Sequence, residues 1–172
     1  HALDQVGLER ISRAVKHIRE QYPDTTADLG FRHFTLKEPT SMSVEKMEKF
    51  SPDENGLVIT NTVLEEFGIP TILATWLVRD GYGFTAPVET VDFAGYIGYY
   101  MGKHLYLINQ KLSNEAIAAI TEKFDTDGTF NPENVVLFGY SFKWTEMEAL
   151  KTNLARLKDT EKNLRINFDI RY

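Results

Sequence analysis

Residues 104–138 read HLYLINQKLSNEAIAAITEKFDTDGTFNPENVVLF. A strand over His104–Ile108, a helix over Asn114–Phe124 and a second strand over Val135–Phe138 make one βαβ unit. The pattern continues with a helix over Glu146–Leu157 and a strand over Leu164–Ile170. Two βαβ units in succession imply at least three parallel strands joined by right-handed crossovers. The expected fold class is therefore α/β: three layers around a mixed, mostly parallel sheet, with an amphipathic helix at the N-terminal end.

Upstream of the decisive stretch, Val88–Asn109 is rich in Val, Tyr and Ile, with Gly95, Gly98 and Gly102 between them. It suggests a pair of strands turning near Met101-Gly102-Lys103, with glycine softening a strand around Gly95. Thr62-x-x-Glu65 has the form of a capping box for a helix ending at Gly68, and Pro70 suits the first turn of a second, largely apolar helix over Ile69–Arg79. A strand is expected over Phe31–Lys37, closed by Pro39, and a short helix over Val44–Phe50. Thr145 to Glu148 has the form of a further capping box. The last strand alternates Leu164, Ile166, Phe168 and Ile170 with Arg165, Asn167, Asp169 and Arg171, which predicts one wet face and a place at the sheet edge.

At the N-terminal end Leu8, Ile11, Val15, Ile18 and Tyr22 line one face of a helix that Pro23 ends. Arg10, Arg13, Lys16 and Arg19 stand on its other face, either as a solvated surface or as contacts for DNA or an acidic partner. Residues 1–24 are thus expected to form a leading helix, and 25–172 a single α/β domain. His1-Ala2-Leu3-Asp4 has neither an initiator Met nor a signal pattern, so an upstream segment is expected.

At 172 residues and 19.7 kDa the chain has the size of one domain, and its 42% hydrophobic and 26% charged fractions are those of a globular protein. A net charge of −6 argues against gripping nucleic acid by bulk electrostatics and leaves only local phosphate contacts. The longest apolar run, Ile69–Val78, is too short to cross a bilayer. The absence of cysteine excludes disulfides and thiolate sites, and makes a reducing, cytoplasmic setting the expectation.

Motifs that could carry chemistry are incomplete throughout the chain. A strand ending in Gly139-Tyr140-Ser141 resembles a nucleophile elbow, which makes an α/β hydrolase using Ser141 the alternative reading. Lys143 stands where that turn wants a small residue, and no histidine follows His104. Phe93-Ala94-Gly95-Tyr96-Ile97-Gly98 approximates a methyltransferase cofactor turn but has Ile97 at its second glycine position. Asp125-Thr126-Asp127-Gly128 with Asn131 and Glu133 lacks the EF-hand spacing, which favours a turn over a calcium loop. Asp92 with Lys111 would suit a nuclease, but Asn109 replaces the second carboxylate. There is no Walker loop, dinucleotide fingerprint or Asp/Asn-Pro-Pro-aromatic tetrapeptide. No catalytic, cofactor-binding or metal residue is therefore assigned.

Six stretches taken in order carry a family resemblance: GLERISRA at 7–14, DTTADLGFRHFTLKEP at 24–39, TILATWLVRDGYGF at 71–84, KHLYLIN at 103–109, NPENVVLFGYSF at 131–142 and LKDTEKNLRINFDIRY at 157–172. Together they resemble the C-terminal region of the modification subunit of type III restriction-modification systems, an adenine-specific DNA methyltransferase. The resemblance implies that the catalytic tetrapeptide, the target-recognition region and the S-adenosylmethionine loop lie upstream, in a methyltransferase body joined through the leading helix. It implies a non-catalytic role around the chemistry for this chain: completing the modification subunit, helping its dimer form, or docking the restriction subunit that hydrolyses ATP and cuts DNA, with Arg10, Arg13, Lys16 and Arg19 as the residues for any local DNA contact. S-adenosylmethionine is then a cofactor of the parent protein and not of this chain.

Overall fold

The computed structural model describes residues 3–36, 38, 61–159 and 166–172. The chain divides into two compact units, His1–Glu38 and Pro39–Tyr172. The first contains helix α1, Leu3–Gln21, with Asp4 in its first turn and Arg19 in its last, where both charges oppose the helix dipole. Phe31 to Leu36 form no strand. Their β-forming composition lacks what a strand requires, because no strand lies among the described residues of this unit to complete a ladder. The helix expected over Val44–Phe50 falls outside the described residues.

The second unit is an α/β sandwich. Its elements are α2 (Asn61–Arg79), β1 (Glu89–Phe93), β2 (Tyr96–Met101), β3 (His104–Leu107), α3 (Asn114–Thr126), β4 (Asn134–Phe138), α4 (Trp144–Ala155) and β5 (Asn167–Arg171). The five strands lie in sequence order in one sheet. The β1–β2 and β2–β3 pairs are antiparallel, while β3–β4 and β4–β5 are parallel. The expected succession of βαβ units is present, and β5 is an edge strand.

Side-chain alternation in β3 and β4 assigns the layers. Leu105, Leu107, Val135 and Leu137 enter one core with Ile117, Ile120 and Phe124 of α3 and Leu150 and Leu154 of α4. Tyr106, Ile108, Val136 and Phe138 enter the opposite core with Ile72, Leu73, Trp76 and Leu77 of α2. Both crossover helices thus cover the same face, as two same-handed crossovers moving in one direction across a sheet require. Helix α2 covers the other face with a single stripe, and Val78 stays exposed on its outer side.

Local chemistry sets the boundaries. Helix α2 breaks at Gly68, whose φ of 76° no helix interior accepts, so that a second helical run starts with Pro70 in its first turn. Ser113 caps α3 by accepting the Ala116 N–H at 3.1 Å. For α4 the expected box at Thr145–Glu148 is displaced. The helix begins at Trp144, and Glu146 reaches back to accept the Lys143 N–H at 2.7 Å. Lys143 closely follows the 3₁₀ turn Gly139–Ser141 that leaves β4, so the chain has already turned when Thr145 is reached.

The segment expected to hold two strands holds three. The extra turn lies at Ala94 and Gly95, both with positive φ (52° and 89°), which is the conformation of a two-residue turn that follows the strand twist. Asp92 Oδ1 fixes it by accepting the Gly95 N–H at 2.6 Å. Glycine is needed inside β2 for a different reason. A Cβ on Gly98 would lie 2.8 Å from Phe93 Cε2 and 3.1 Å from Leu107 Cδ2, because the Phe93 ring packs against this position. Gly98→Ala should therefore destabilise the chain by about 1–3 kcal/mol in urea unfolding, the usual cost of overpacking a filled core. Gly128→Ala, whose Cβ meets nothing within 4 Å, should change stability by less than about 0.5 kcal/mol.

Candidate functional site

Open α/β sheets bind ligands beyond the carboxyl ends of their parallel strands, and the reactive-looking groups of the sequence gather near that end. Ser141, the candidate nucleophile, is 8% exposed, and its hydroxyl donates to the Ile108 carbonyl at 2.5 Å. It caps a backbone acceptor at the end of β3, with no histidine later in the sequence to act as its base. The hydrolase reading gains no support from this geometry. Tyr96 donates its hydroxyl to the Asn109 carbonyl at 2.8 Å, and Asn109 Nδ2 donates to the Ile97 carbonyl at 2.8 Å. Burial raises the Tyr96 pKa well above the ordinary phenol value, which keeps this hydroxyl a donor. Asp92 holds the β1–β2 turn, so the Phe93–Gly98 segment that approximates a cofactor turn is a hairpin.

The loop after α3 is likewise spent on its own geometry. Asp127 accepts the Thr129 N–H at 2.9 Å, the Thr129 hydroxyl at 2.6 Å and Lys123 Nζ at 2.9 Å. These contacts, the Thr129 hydroxyl first among them, hold its carboxyl below the usual range. Among the described residues no three His, Asp or Glu side chains converge on a point that could hold a metal ion.

On the α2 face the structure contains a polar constellation that sequence patterning missed. Arg171, expected on the wet face of β5, is 7% exposed. Its Nη1 and Nη2 donate to Asp80 at 2.9 and 2.8 Å, its Nε donates to Asp169 at 2.7 Å, and its guanidinium lies 5.5 Å from the Trp76 ring centre. Tyr106 donates its hydroxyl to the same Asp80 carboxylate at 2.7 Å. His104 stacks on Tyr106 and shares its Nδ1 with the Tyr82 hydroxyl at 2.7 Å. Burial pushes the Asp80 carboxyl up, but the hydrogen bonds from Arg171 and Tyr106 outweigh it and leave the net shift downward. The one sequence signal was Tyr106 itself, a buried phenol in an apolar strand that must find a partner.

This cluster bolts the end of α2 to β3 and β5. Asp80→Asn should lower stability at pH 7 by about 3–5 kcal/mol, because it leaves the Arg171 charge buried and half-paired. The folded-state pKa of Asp80 is depressed, so its contribution is present above the unfolded value near 3.8 and is lost as pH falls through the folded value. Thermal unfolding between about pH 5 and 2 should show the parent chain losing more stability on acidification than the Asp80→Asn variant.

The basic residues singled out in the sequence lie together on α1 but are not all available. Arg13 pairs with Glu9 at 2.5 Å and Lys16 with Glu20 at 3.9 Å, each one helical turn apart. Arg10 and Arg19 have no ion pair among the described residues. The helix has no buried residue, and Ile11, Ile18 and Tyr22 are 46%, 37% and 62% exposed. Apolar side chains on one face of this amphipathic helix are therefore among the exposed large hydrophobics of the described residues.

Residues 67–164 match the family model described as the type III R-M EcoP15I C-terminal domain. The StyLTI Mod subunit of Salmonella typhimurium is 30% identical over 95% of this chain and 29% of its own length. The EcoP15I Mod subunit of Escherichia coli is 33% identical over 84% of this chain and 21% of its own length. The EcoPI Mod subunit of Escherichia phage P1 is 30% identical over 76% and 20% respectively. The chain therefore spans less than a third of the relatives it matches, and it belongs to the family of C-terminal domains of type III restriction-modification Mod subunits.

Proposed function

We propose that this chain is a non-catalytic assembly domain of a cytoplasmic, adenine-specific DNA methyltransferase. It helps two modification subunits to dimerise, docks the restriction subunit and adds local contacts to DNA. S-adenosylmethionine and the catalytic tetrapeptide belong to the upstream body of that protein. The observation that carries this reading is the row of exposed apolar side chains on α1, Ile11 and Ile18 with Tyr22 just beyond its end, the kind of surface that marks a contact with another protein. The reactive-looking groups of the sheet unit support it, since Ser141, Asp92, Asn109 and Asp127 are all engaged in holding the backbone. Among the described residues no helix is long and apolar enough to cross a membrane.

Deleting residues 3–172 from the full-length modification subunit should abolish co-purification of the restriction subunit and weaken dimerisation. Survival of methylation, dimerisation and restriction-subunit binding together would refute the assembly role. The DNA contribution is assigned to Arg10 and Arg19, with Arg13 and Lys16 reduced by their glutamate partners. In the full-length subunit, Arg10→Glu with Arg19→Glu should weaken DNA binding at all sequences alike. It should also lower the slope of log affinity against log salt by up to about two, one for each phosphate that is no longer neutralised. An unchanged slope would remove DNA from the role of α1.

A further inference from the structure

The sheet has β1 at one edge and β5 at the other, and the two edges are built differently. On β1 the exposed residues are Glu89, Thr90 and Asp92, and their acidic charge turns a further strand away. On β5 the charges are engaged with one another, since buried Arg171 holds both Asp80 and Asp169. Phe168 packs against the α3–α4 core, and Ile170 on the same face of the strand is 43% exposed. The backbone is open as well. The Asn167 N–H donates to the Glu133 carbonyl at 2.8 Å, and in a parallel ladder alternate residues face the neighbouring strand. Asn167, Asp169 and Arg171 therefore bond to β4, and the N–H and C=O groups of Phe168 and Ile170 point outward, where no further strand lies among the described residues. β5 has neither proline nor lysine, the usual residues that blunt an edge.

We propose that the β5 edge receives a strand from the restriction subunit, an extended segment in which apolar residues alternate with a basic one. The proposal deepens the docking part of the assembly reading and rests on it. Backbone groups at strand spacing are matched by another peptide backbone, whose main-chain bonds give affinity while its alternate side chains give specificity. The apolar side chains of the segment cover Ile170 on one face. Its basic residue meets the other face, where Asp80 and Asp169 share one guanidinium and leave one negative charge unbalanced. Asp169 carries that charge outward, with 38% of its side chain exposed against 9% for Asp80. A second β5 fits this edge poorly, because pairing about the middle residue sets Asp169 against Asp169.

Titration of purified restriction subunit into the full-length modification subunit tests the edge. Ile170→Lys keeps the ladder to β4 but puts a charge where the added strand must lie. It should raise the dissociation constant at least about tenfold, a difference of about 1.4 kcal/mol. Thr90→Lys, the same charge on the β1 edge, should leave the constant within about twofold. Asp169→Asn keeps the Asp80–Arg171 pair and should weaken binding by about twofold to fivefold, the range of a partly exposed ion pair. Amide exchange reads the edge without a substitution. The Phe168 and Ile170 amides should exchange freely in the modification subunit alone and slowly once the restriction subunit is bound. Unchanged binding by Ile170→Lys or Asp169→Asn, equal weakening by both lysine variants, or equal protection of these amides in both states would each overturn the proposal. If deleting residues 3–172 abolishes restriction-subunit binding while Ile170→Lys does not weaken it, the edge fails and the assembly reading stands. If the deletion leaves binding intact, both fail.

Discussion

Everything in the sheet unit depends on burial of β3 and β4 from both sides at once. Leu105, Tyr106, Ile108, Val135 and Val136 are fully buried, and consecutive residues feed opposite cores. A strand covered on only one face can slip its register at the cost of exposing that face. Here a slip of one residue would exchange the two cores, presenting the Tyr106 hydroxyl to α3 and α4 and removing it from Asp80. The polar bolt of Asp80, Tyr106 and Arg171 therefore acts as a register pin as well as a tie between α2 and the sheet edge. It is weak support for stability compared with an apolar cluster, but it is specific, because only one register satisfies all three groups.

The parallel half of the fold was legible in the sequence because period, length and punctuation agree there. Runs of four or five apolar residues and helices of about a dozen left little choice of element type over residues 104–157. The antiparallel half was less legible. Its first hairpin turns at Ala94 and Gly95, and alanine at a positive φ carries no turn signal of its own. The missing strand over Phe31–Leu36 shows the converse, since composition alone forms no ladder without a neighbour. At the start of α4 the Thr145–Glu148 pattern matched a rule that the preceding turn had already made irrelevant.

Function was legible mainly as order along the chain, and chemistry followed from geometry. Gly139-Tyr140-Ser141 looked like an elbow in one dimension, and in three it is a hydroxyl closing a strand end. Arg171 looked like a surface charge because alternation in β5 says nothing about a carboxylate 91 residues away that the end of α2 brings under it. The basic face of α1 was visible, but its partial neutralisation by Glu9 and Glu20 was a matter of helical spacing that the basic pattern alone concealed. The apolar stripe of α1 was equally visible as a helical period, and the structure shows Ile11 and Ile18 exposed on it.

The central claim, that this chain works by being covered, is tested most directly by hydrogen–deuterium exchange. The exchange of the 172-residue chain alone would be compared with the same residues inside the modification subunit assembled with its restriction subunit. The account predicts slowed exchange along Leu3–Gln21 in the assembly, with β3 and β4 equally protected in both states. Identical exchange along α1 in the isolated and assembled states would contradict it.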